Sequence, residues 1–101
     1  MRVRKHRKVR REMVLTAAIE MSLRVGYRHL IRDDVAKEAG ISGGLINKYF
    51  GTIENLRKEV LRTAIQREIL EIIAQGLGMR DPDVMRISDD IKQKAFHFLI
   101  N

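Results

Sequence analysis

Apolar residues recur every three or four positions along most of this chain, which is the spacing of helices that bury one face. A first stripe between residues 14 and 25 leads into Gly26-Tyr27, and a shorter stripe ends at Gly40. Glycine readily adopts the left-handed backbone found after many helices, so both glycines predict helix ends. Ser42 is a favoured N-cap residue and predicts a third helix from about Gly43. The apolar positions of these helices are Val14, Ala17, Ala18, Met21 and Val25, then Val35, Ala36 and Ala39, then Leu45, Ile46, Tyr49 and Phe50.

A longer apolar pattern follows, and it predicts one helix from about Ile53 to Gln75. We expect Gly76-Leu77-Gly78 to break this helix, and Asp81-Pro82 to start the last one as N-cap and first helical residue. The positions expected to face the three-helix core are Leu56, Val60, Leu61, Ala64 and Ile65 in the long helix. The apolar stripe of the last helix is Val84, Ile87, Ile91, Ala95, Phe98 and Leu99. The predicted fold is all-α, with three helices, a long fourth helix and a short C-terminal helix.

The segment from Asp34 to Phe50 reads as a short helix, a glycine-marked turn and a second helix with a sparse polar face. Such a tight pair is typical of a helix-turn-helix, whose second helix enters the major groove of DNA. Helix pairs with glycine turns also occur in other compact helical proteins, so the generic motif alone is weak evidence. The flanking residues therefore have to decide between these interpretations.

Short motifs around this segment form a specific pattern: Ala17-Ala18, Gly26-Tyr27, residues 35–42 (VAKEAGIS), residues 49–52 (YFGT) and residues 54–56 (ENL). With them, the chain from about Arg11 to Leu61 resembles the DNA-binding domain of the TetR family of bacterial repressors. The resemblance implies a TetR-like, homeodomain-like three-helix domain that binds double-stranded DNA.

The chain departs from the family pattern in three places. Leu30-Ile31 replaces the usual hydroxyl residues before the second helix, so we expect Arg32 to make the phosphate contact that they would supply. Asn47 stands where the family often has tyrosine, and Ile53 where it commonly has a phosphate-binding lysine. Those two family contacts cannot be carried over.

We expect Asn47 and Lys48 to read base edges, because an amide can pair with adenine and an ammonium group with guanine. Tyr49 and Thr52 are expected on phosphates, while Gly43-Gly44 lets the backbone approach the DNA. The DNA-binding residues predicted in this region are Arg32, Ser42, Gly43, Gly44, Leu45, Asn47, Lys48, Tyr49 and Thr52.

The N-terminal residues carry all of the net charge of +7, because no acidic residue precedes Glu12 and the remaining charges cancel. Crowded like charges repel one another, so we expect an arm that is disordered alone and binds a polyanion. Nucleic acid is the favoured polyanion, and the alternatives are a solubilising tail, a nuclear import signal and a membrane patch. The predicted DNA contacts of this arm are Arg2, Arg4, Lys5, Arg7, Lys8, Arg10 and Arg11.

Composition indicates one soluble domain in the cytoplasm of a bacterium, or one encoded by a phage or mobile element. The 101 residues include no cysteine, and no apolar run approaches a membrane span of roughly 20 residues. The three histidines (His6, His29 and His97) lack the spacing of metal ligands. The acidic pair Asp33-Asp34 suits a helix start, and the pair Asp89-Asp90 suits a solvated helix face. We therefore predict no enzyme activity, catalytic residue, metal or cofactor.

The C-terminal part is more apolar than one small domain needs, which indicates a partner. We expect dimerisation through Ile69, Ile72, Ile73, Leu77, Ile91, Phe98 and Leu99. The alternative is that this part folds back onto its own subunit. The predicted divisions are a basic flexible arm (1–11), a DNA-binding domain (12–61) and a helical dimerisation segment (62–101).

The leading hypothesis is a dimeric transcription regulator, more often a repressor, that binds a palindromic operator. Only about 25 residues follow Gly76, so we expect no pocket for a small-molecule inducer, and regulation by a protein partner instead. The alternatives are a weakly specific architectural or DNA-segregation protein, and an antitoxin-like adaptor that binds another protein.

Overall fold

The computed structural model describes residues 2–100 of the chain, and the side chains of residues 7–99. Its α-helices are α1 (Arg2–Val25), α2 (Arg32–Ala39), α3 (Gly43–Phe50), α4 (Ile53–Arg67), α5 (Leu70–Gly78), α6 (Pro82–Met85) and α7 (Asp89–Ile100). A short 3-10 helix, Tyr27–His29, joins α1 to α2. No strand occurs in residues 2–100, so the predicted all-α fold class is confirmed.

The first four helices pack around the predicted stripes of α1, α2 and α3, except that Val25 at the end of α1 is 48% exposed. Gly26 and Gly40 both have positive φ, at 89° and 73°, and each follows the end of its helix. Fully or almost fully buried in the core of these helices are Val14, Leu15, Ala18, Ile19, Leu30, Val35, Ala36, Ile46, Phe50, Leu56, Val60, Leu61 and Ala64.

The predicted long fourth helix is wrong, because α4 ends at Arg67. Glu68 adopts the left-handed conformation, with φ of 56° and ψ of 48°. The next amide, of Ile69, then donates to the carbonyl of Ala64 at 2.8 Å and closes the helix end. The chain turns there and starts α5 at Leu70.

The predicted break at Gly76-Leu77-Gly78 is also wrong, because α5 runs through these residues and ends at Gly78. Gly76 is buried, and a Cβ atom on it would clash with Cγ2 of Val84. Its role is therefore to let α6 pack closely on α5. The turn comes two residues after the helix, at Arg80, whose φ is 55°.

Asp81 and Pro82 start a helix as predicted, since the Asp81 carboxylate accepts the amide of Asp83 at 3.0 Å. This helix, α6, ends at Met85, and a separate helix, α7, begins at Asp89. The prediction of a single C-terminal helix is therefore wrong, because the chain forms two. Asp89 and Asp90 occupy the exposed first turn of α7, where acidic side chains oppose the positive end of the helix dipole.

The C-terminal helices fold back onto their own subunit. Helix α7 packs against α5, and the buried residues of α5, α6 and α7 join the same core as the first four helices. Tyr27 donates its hydroxyl hydrogen to Asp81 at 3.0 Å, and Gln75 accepts the Tyr27 amide while donating to the Ser22 carbonyl. Helices α1 and α4 cross the predicted divisions after residues 11 and 61, and those divisions stay predictions. None of the described helices is long and apolar enough to cross a membrane.

Candidate nucleic-acid interface

Helices α2 and α3 are joined by a turn of three residues, Gly40, Ile41 and Ser42. Gly40 is left-handed, and the Ile41 amide donates to the Ala36 carbonyl at 3.0 Å, which ends α2. Ser42 has the extended backbone of an N-cap residue, but its hydroxyl forms no capping hydrogen bond, contrary to the expectation from its residue type. The amide hydrogens that begin a helix point outwards, so the exposed Ser42 hydroxyl and the start of α3 present donors side by side.

Helix α3 has one buried and one exposed side. Ile46 and Phe50 are buried in the core, and Leu45 and Tyr49 are partly buried. Gly44, Asn47 and Lys48 are exposed and lie three to four residues apart, on one face of the helix. The residues predicted to read bases therefore share a surface that is free of apolar side chains.

Arg32, the first residue of α2, lies against the start of α3. A Cβ atom on Gly43 would come within 2.9 Å of Nε of Arg32, so the absence of a side chain at Gly43 admits this guanidinium group. Nε of Arg32 also lies 3.2 Å from Oδ1 of Asp33, and both side chains remain well exposed. The structure thus brings the Arg32 side chain beside Gly43 at the start of α3, and its phosphate contact stays a prediction.

Thr52 and Asn55 define the turn from α3 to α4. Thr52 is the N-cap of α4, and its Oγ1 accepts the Asn55 amide at 3.0 Å. Nδ2 of Asn55 in turn donates to the carbonyl of Phe50, the last residue of α3, at 3.1 Å. The exposed Thr52 hydroxyl therefore has a structural role as the cap of α4, and its phosphate contact stays a prediction.

Arg57 is a residue of this region that the sequence did not single out. Its Nε and Nη2 both donate to the carbonyl of Leu30, at 3.1 and 2.6 Å. Leu30 immediately precedes Ile31, which occupies the N-cap of α2 and has no side-chain cap. Helix α4 therefore fixes the entry to α2 at the place where the family's usual hydroxyl residues are missing.

The predicted arm is helical, because α1 begins at Arg2 and continues without a break into the core. Arg7, Lys8 and Arg10 are exposed, whereas the side chains of Arg2, Arg4 and Lys5 lie outside the described residues. The expectation of a disordered arm differs from this structure, in which the segment extends a helix that the core already holds.

Arg11 differs from its neighbours because it is engaged within the protein. Its Nη1 and Nη2 donate to the two carboxylate oxygens of Glu59, each at 2.7 Å, and its guanidinium carbon lies 4.3 Å from the centre of the Phe50 ring. The hydrogen bonds to Glu59 raise the pKa of Arg11 above its ordinary value. The sequence predicted Arg11 as a free DNA contact. The structure corrects this prediction, because the guanidinium group is already paired with Glu59.

The residues predicted for dimerisation also need correction, because several of them are buried within the subunit. Ile72 and Ile73 are fully buried in the subunit's own core, so neither can face a partner. Ile69, Leu77 and Ile91 are partly buried against this core. Phe98 and Leu99 are exposed on α7, together with Phe96, which is 51% exposed and was not predicted.

No enclosed ligand site was expected, and the described residues show an open groove of about 670 Å3 between α1 and α2. Its apolar lining includes Val9, Met13, Ala17 and Ala39, and charged residues stand at its edges. Among the described residues, no three histidine, aspartate or glutamate side chains are grouped so that they could hold a metal ion.

Comparison with known proteins gives consistent matches to one family. The family model described as bacterial regulatory proteins of the tetR family matches residues 14–60. The HTH-type transcriptional regulator BetI of Vibrio vulnificus (strain YJ016) is 33% identical over 60 residues, which are 59% of this chain and 30% of that protein. BetI of Vibrio campbellii (strain ATCC BAA-1116) is 32% identical over 75 residues, 74% of this chain and 37% of that protein. The match thus spans about a third of each relative. No solved structure matches the chain.

Proposed function

We propose, because the chain belongs to the TetR family of bacterial regulatory proteins, that it binds double-stranded DNA in a sequence-specific way and regulates transcription. The family match at residues 14–60 confirms the resemblance predicted from the motifs between Arg11 and Leu61. The observation that carries the proposal is the exposed side of α3, where Gly44, Asn47 and Lys48 lie together. A helix fits the major groove, which is about 12 Å wide and presents a distinct pattern for each base pair.

Two groups of residues have different roles in this proposal. Asn47 and Lys48 read base edges, since they are exposed in the middle of α3. Arg32, Ser42 and Thr52 bind phosphates on either side, because they lie at the start of α3 and just after its end. Phosphate contacts fix the register of a protein on DNA, and base contacts supply the preference for sequence.

We also propose that the protein is a dimer and represses by covering a palindromic operator. The exposed aromatic residues of α7 support this, because a two-fold axis through such a surface would pair two copies of α3 with two half-sites. The BetI proteins are HTH-type transcriptional regulators by name, which supports a regulatory role. Control by a protein partner, without a small-molecule inducer, is part of the same proposal.

The decisive experiment is selection of bound sequences from a pool of random duplexes, followed by footprinting of the enriched site. An inverted repeat with protection in two successive major grooves is expected. Enrichment of no sequence at all would reject sequence-specific regulation.

Substitution of Asn47 tests the assignment within α3. Asn47→Ala should remove the preference at one base pair in each half-site, a loss of about 1–3 kcal/mol of discrimination. Affinity for random duplexes should stay nearly unchanged. Thr52→Val provides the contrast, because loss of a phosphate contact weakens all sequences about equally. If Asn47→Ala weakens the selected site and random DNA by the same factor, Asn47 reads no base.

A second candidate function is a weakly specific architectural protein that coats DNA. The observation in its favour is the concentration of seven basic residues before Glu12, three of which are described as exposed on α1. Charge of this kind binds phosphates without reading sequence. In the selection experiment this candidate predicts strong, salt-dependent binding and no enriched motif.

A further inference from the structure

One side chain of α1 contacts both α3 and α4. The Arg11 guanidinium group forms a two-pronged ion pair with Glu59 of α4, with both distances at 2.7 Å, and stacks 4.3 Å from the ring of Phe50 in α3. Paired hydrogen bonds of this kind fix direction as well as distance, and a ring beneath the guanidinium group restricts it further. Arg11 is therefore held in one orientation.

This contact lies between an exposed turn of helix and the buried core. Arg7, Lys8, Val9 and Arg10 are exposed, and full burial in α1 begins at Val14. The first turn of α1 contains no acidic residue, and Arg7, Lys8 and Arg10 add three exposed positive charges after it. Glu59 lies in the second turn of α4, and its carboxylate pairs with Arg11 at the inner end of this exposed turn of α1.

Arg7 lies four residues before Arg11, and residues at this spacing share one face of a helix. Arg7 therefore emerges one turn beyond Arg11, on the side of α1 that meets the end of α3. At that end of α3, Thr52 is exposed and Asn55 closes the helix. The exposed basic turn of α1 is thus anchored on α3 and α4, and the candidate phosphate contact Thr52 lies between the same two helices.

We propose that Arg11 is a positioning residue for DNA binding: held by Glu59 and Phe50, it directs the exposed basic turn of α1 so that Arg7 reaches a phosphate beside α3. The inference rests on the proposed DNA-binding function. Glu59 offsets the charge of Arg11, so this arginine serves to orient the turn, and the free charge for DNA comes from Arg7.

The test is a double-mutant cycle with Arg7→Ala and Glu59→Gln in the full chain. The probe is a random-sequence duplex of about three helical turns, and the readout is the slope of log affinity against log salt concentration. Arg7→Ala should make the wild-type slope shallower by roughly 0.9, the value of one phosphate contact. In the Glu59→Gln background the same substitution should change the slope by much less, because Arg7 is no longer directed to its phosphate.

Glu38→Gln is the matched control. Glu38 pairs with Arg24 at 3.2 Å, joins α1 to α2, and has 34% of its side chain exposed against 33% for Glu59. Glu38→Gln changes the net charge by the same amount as Glu59→Gln and leaves the contacts of Arg11 intact. In the Glu38→Gln background, Arg7→Ala should therefore still change the salt slope by its full amount. Arg11→Lys is a second test, because it keeps the charge while losing the two-pronged geometry, and it should reduce the effect of Arg7→Ala as Glu59→Gln does.

The outcomes separate this inference from the function on which it rests. Additive effects of Arg7→Ala and Glu59→Gln on the slope would overturn it, and so would an Arg7→Ala variant with the wild-type slope. If the wild-type chain binds no duplex even at low salt, the proposed DNA-binding function itself fails. Circular dichroism of each variant confirms that the slopes are compared between folded proteins.

Discussion

Tyr27 connects the segment after α1 with α5 and with the start of α6. Its ring is buried after Gly26, its hydroxyl hydrogen is donated to Asp81 at 3.0 Å, and its amide is donated to Gln75 at 2.9 Å. Asp81 also caps α6 through the amide of Asp83. One aspartate therefore holds the start of α6 and ties it to the helix-turn-helix unit.

Tyr27→Phe should lower the free energy of unfolding by about 1 kcal/mol, because the ring still fills its site and only the hydrogen bond is lost. The pH dependence carries a second signature. Burial, and then the hydrogen bond and charge of Asp81, raise the pKa of Tyr27 above its ordinary value. The unfolded chain loses this proton near pH 10 while the folded chain keeps it, so unfolding is favoured as pH rises through about 10.

Urea unfolding between pH 8 and about pH 11 measures both effects. The wild-type protein should lose more stability over this range than Tyr27→Phe, because the variant has no hydroxyl at this position to ionise. Equal pH dependence in the two proteins would contradict the role assigned to the buried hydroxyl.

Residue roles were predictable from the sequence where their partners are local. The turn at Gly40 and the cap at Asp81 involve neighbours within a few residues, and both were found. The partners of Arg11, Arg57 and Gln75 are 48, 27 and 53 residues away, at Glu59, Leu30 and Ser22. No spacing rule links such positions, so these contacts became visible only in the folded chain.

At the scale of elements, three helices end with the same arrangement of hydrogen bonds. After α2, α4 and α5 a left-handed residue is followed by an amide that donates back to the carbonyl five residues earlier, at 3.0, 2.8 and 2.9 Å. The left-handed residue is Gly40 in the first case, but Glu68 in the second and Arg80 in the third. A non-glycine residue pays a conformational cost in this backbone region.

Glu68→Gly should therefore stabilise the protein by about 1 kcal/mol, since glycine adopts the left-handed conformation without a side-chain clash. Gln66→Gly is the control, because Gln66 is exposed two residues earlier inside α4, and glycine there should destabilise by about 1 kcal/mol. Thermal unfolding of the two variants gives the comparison. A loss of stability in both would mean that the helix continues through residue 68.

These helix ends explain which elements were predictable. Boundaries marked by Gly26, Gly40 or Asp81-Pro82 were found, because glycine, aspartate and proline have strong local preferences. The turns at Glu68 and Arg80 carry no such residue, so the sequence predicted one continuous helix across the first and placed the second break too early. The close approach of Val84 to Gly76 accompanies the second turn, and the first is closed by the backbone bond from the Ile69 amide to the Ala64 carbonyl.

At the scale of the whole molecule, the fold-back of α5, α6 and α7 changes where a second copy could bind. The interior isoleucines of α5 belong to the subunit's own core. Phe96, Phe98 and Leu99 remain 51%, 49% and 42% exposed on α7, and Phe96 and Leu99 line a groove together with Leu77. The proposed dimer should therefore use the exposed apolar side chains of α7, beginning with the groove at Phe96 and Leu99.

Phe96→Glu should convert the proposed dimer into a monomer, because it places a charge on the surface that would be buried in the interface. Leu23→Glu is the control: Leu23 is also an exposed apolar side chain, at 42%, but it lies on α1. Sedimentation equilibrium at micromolar concentration measures both. A monomeric wild-type protein would reject the dimer, and a dimeric Phe96→Glu variant would move the interface to another surface.

The side-chain amide of Gln75 has a consequence for protein engineering. It occupies the corner after α1, where it bonds the Ser22 carbonyl at 2.8 Å and the Tyr27 amide at 2.9 Å. A DNA-reading module excised at residue 60 would leave this corner open to water and would also lose the apolar cover of Ile72 and Ile73. A chimaera that transplants the specificity of α3 into another regulator should therefore exchange only the exposed side chains of α3, and keep a recipient whose own scaffold already closes that corner.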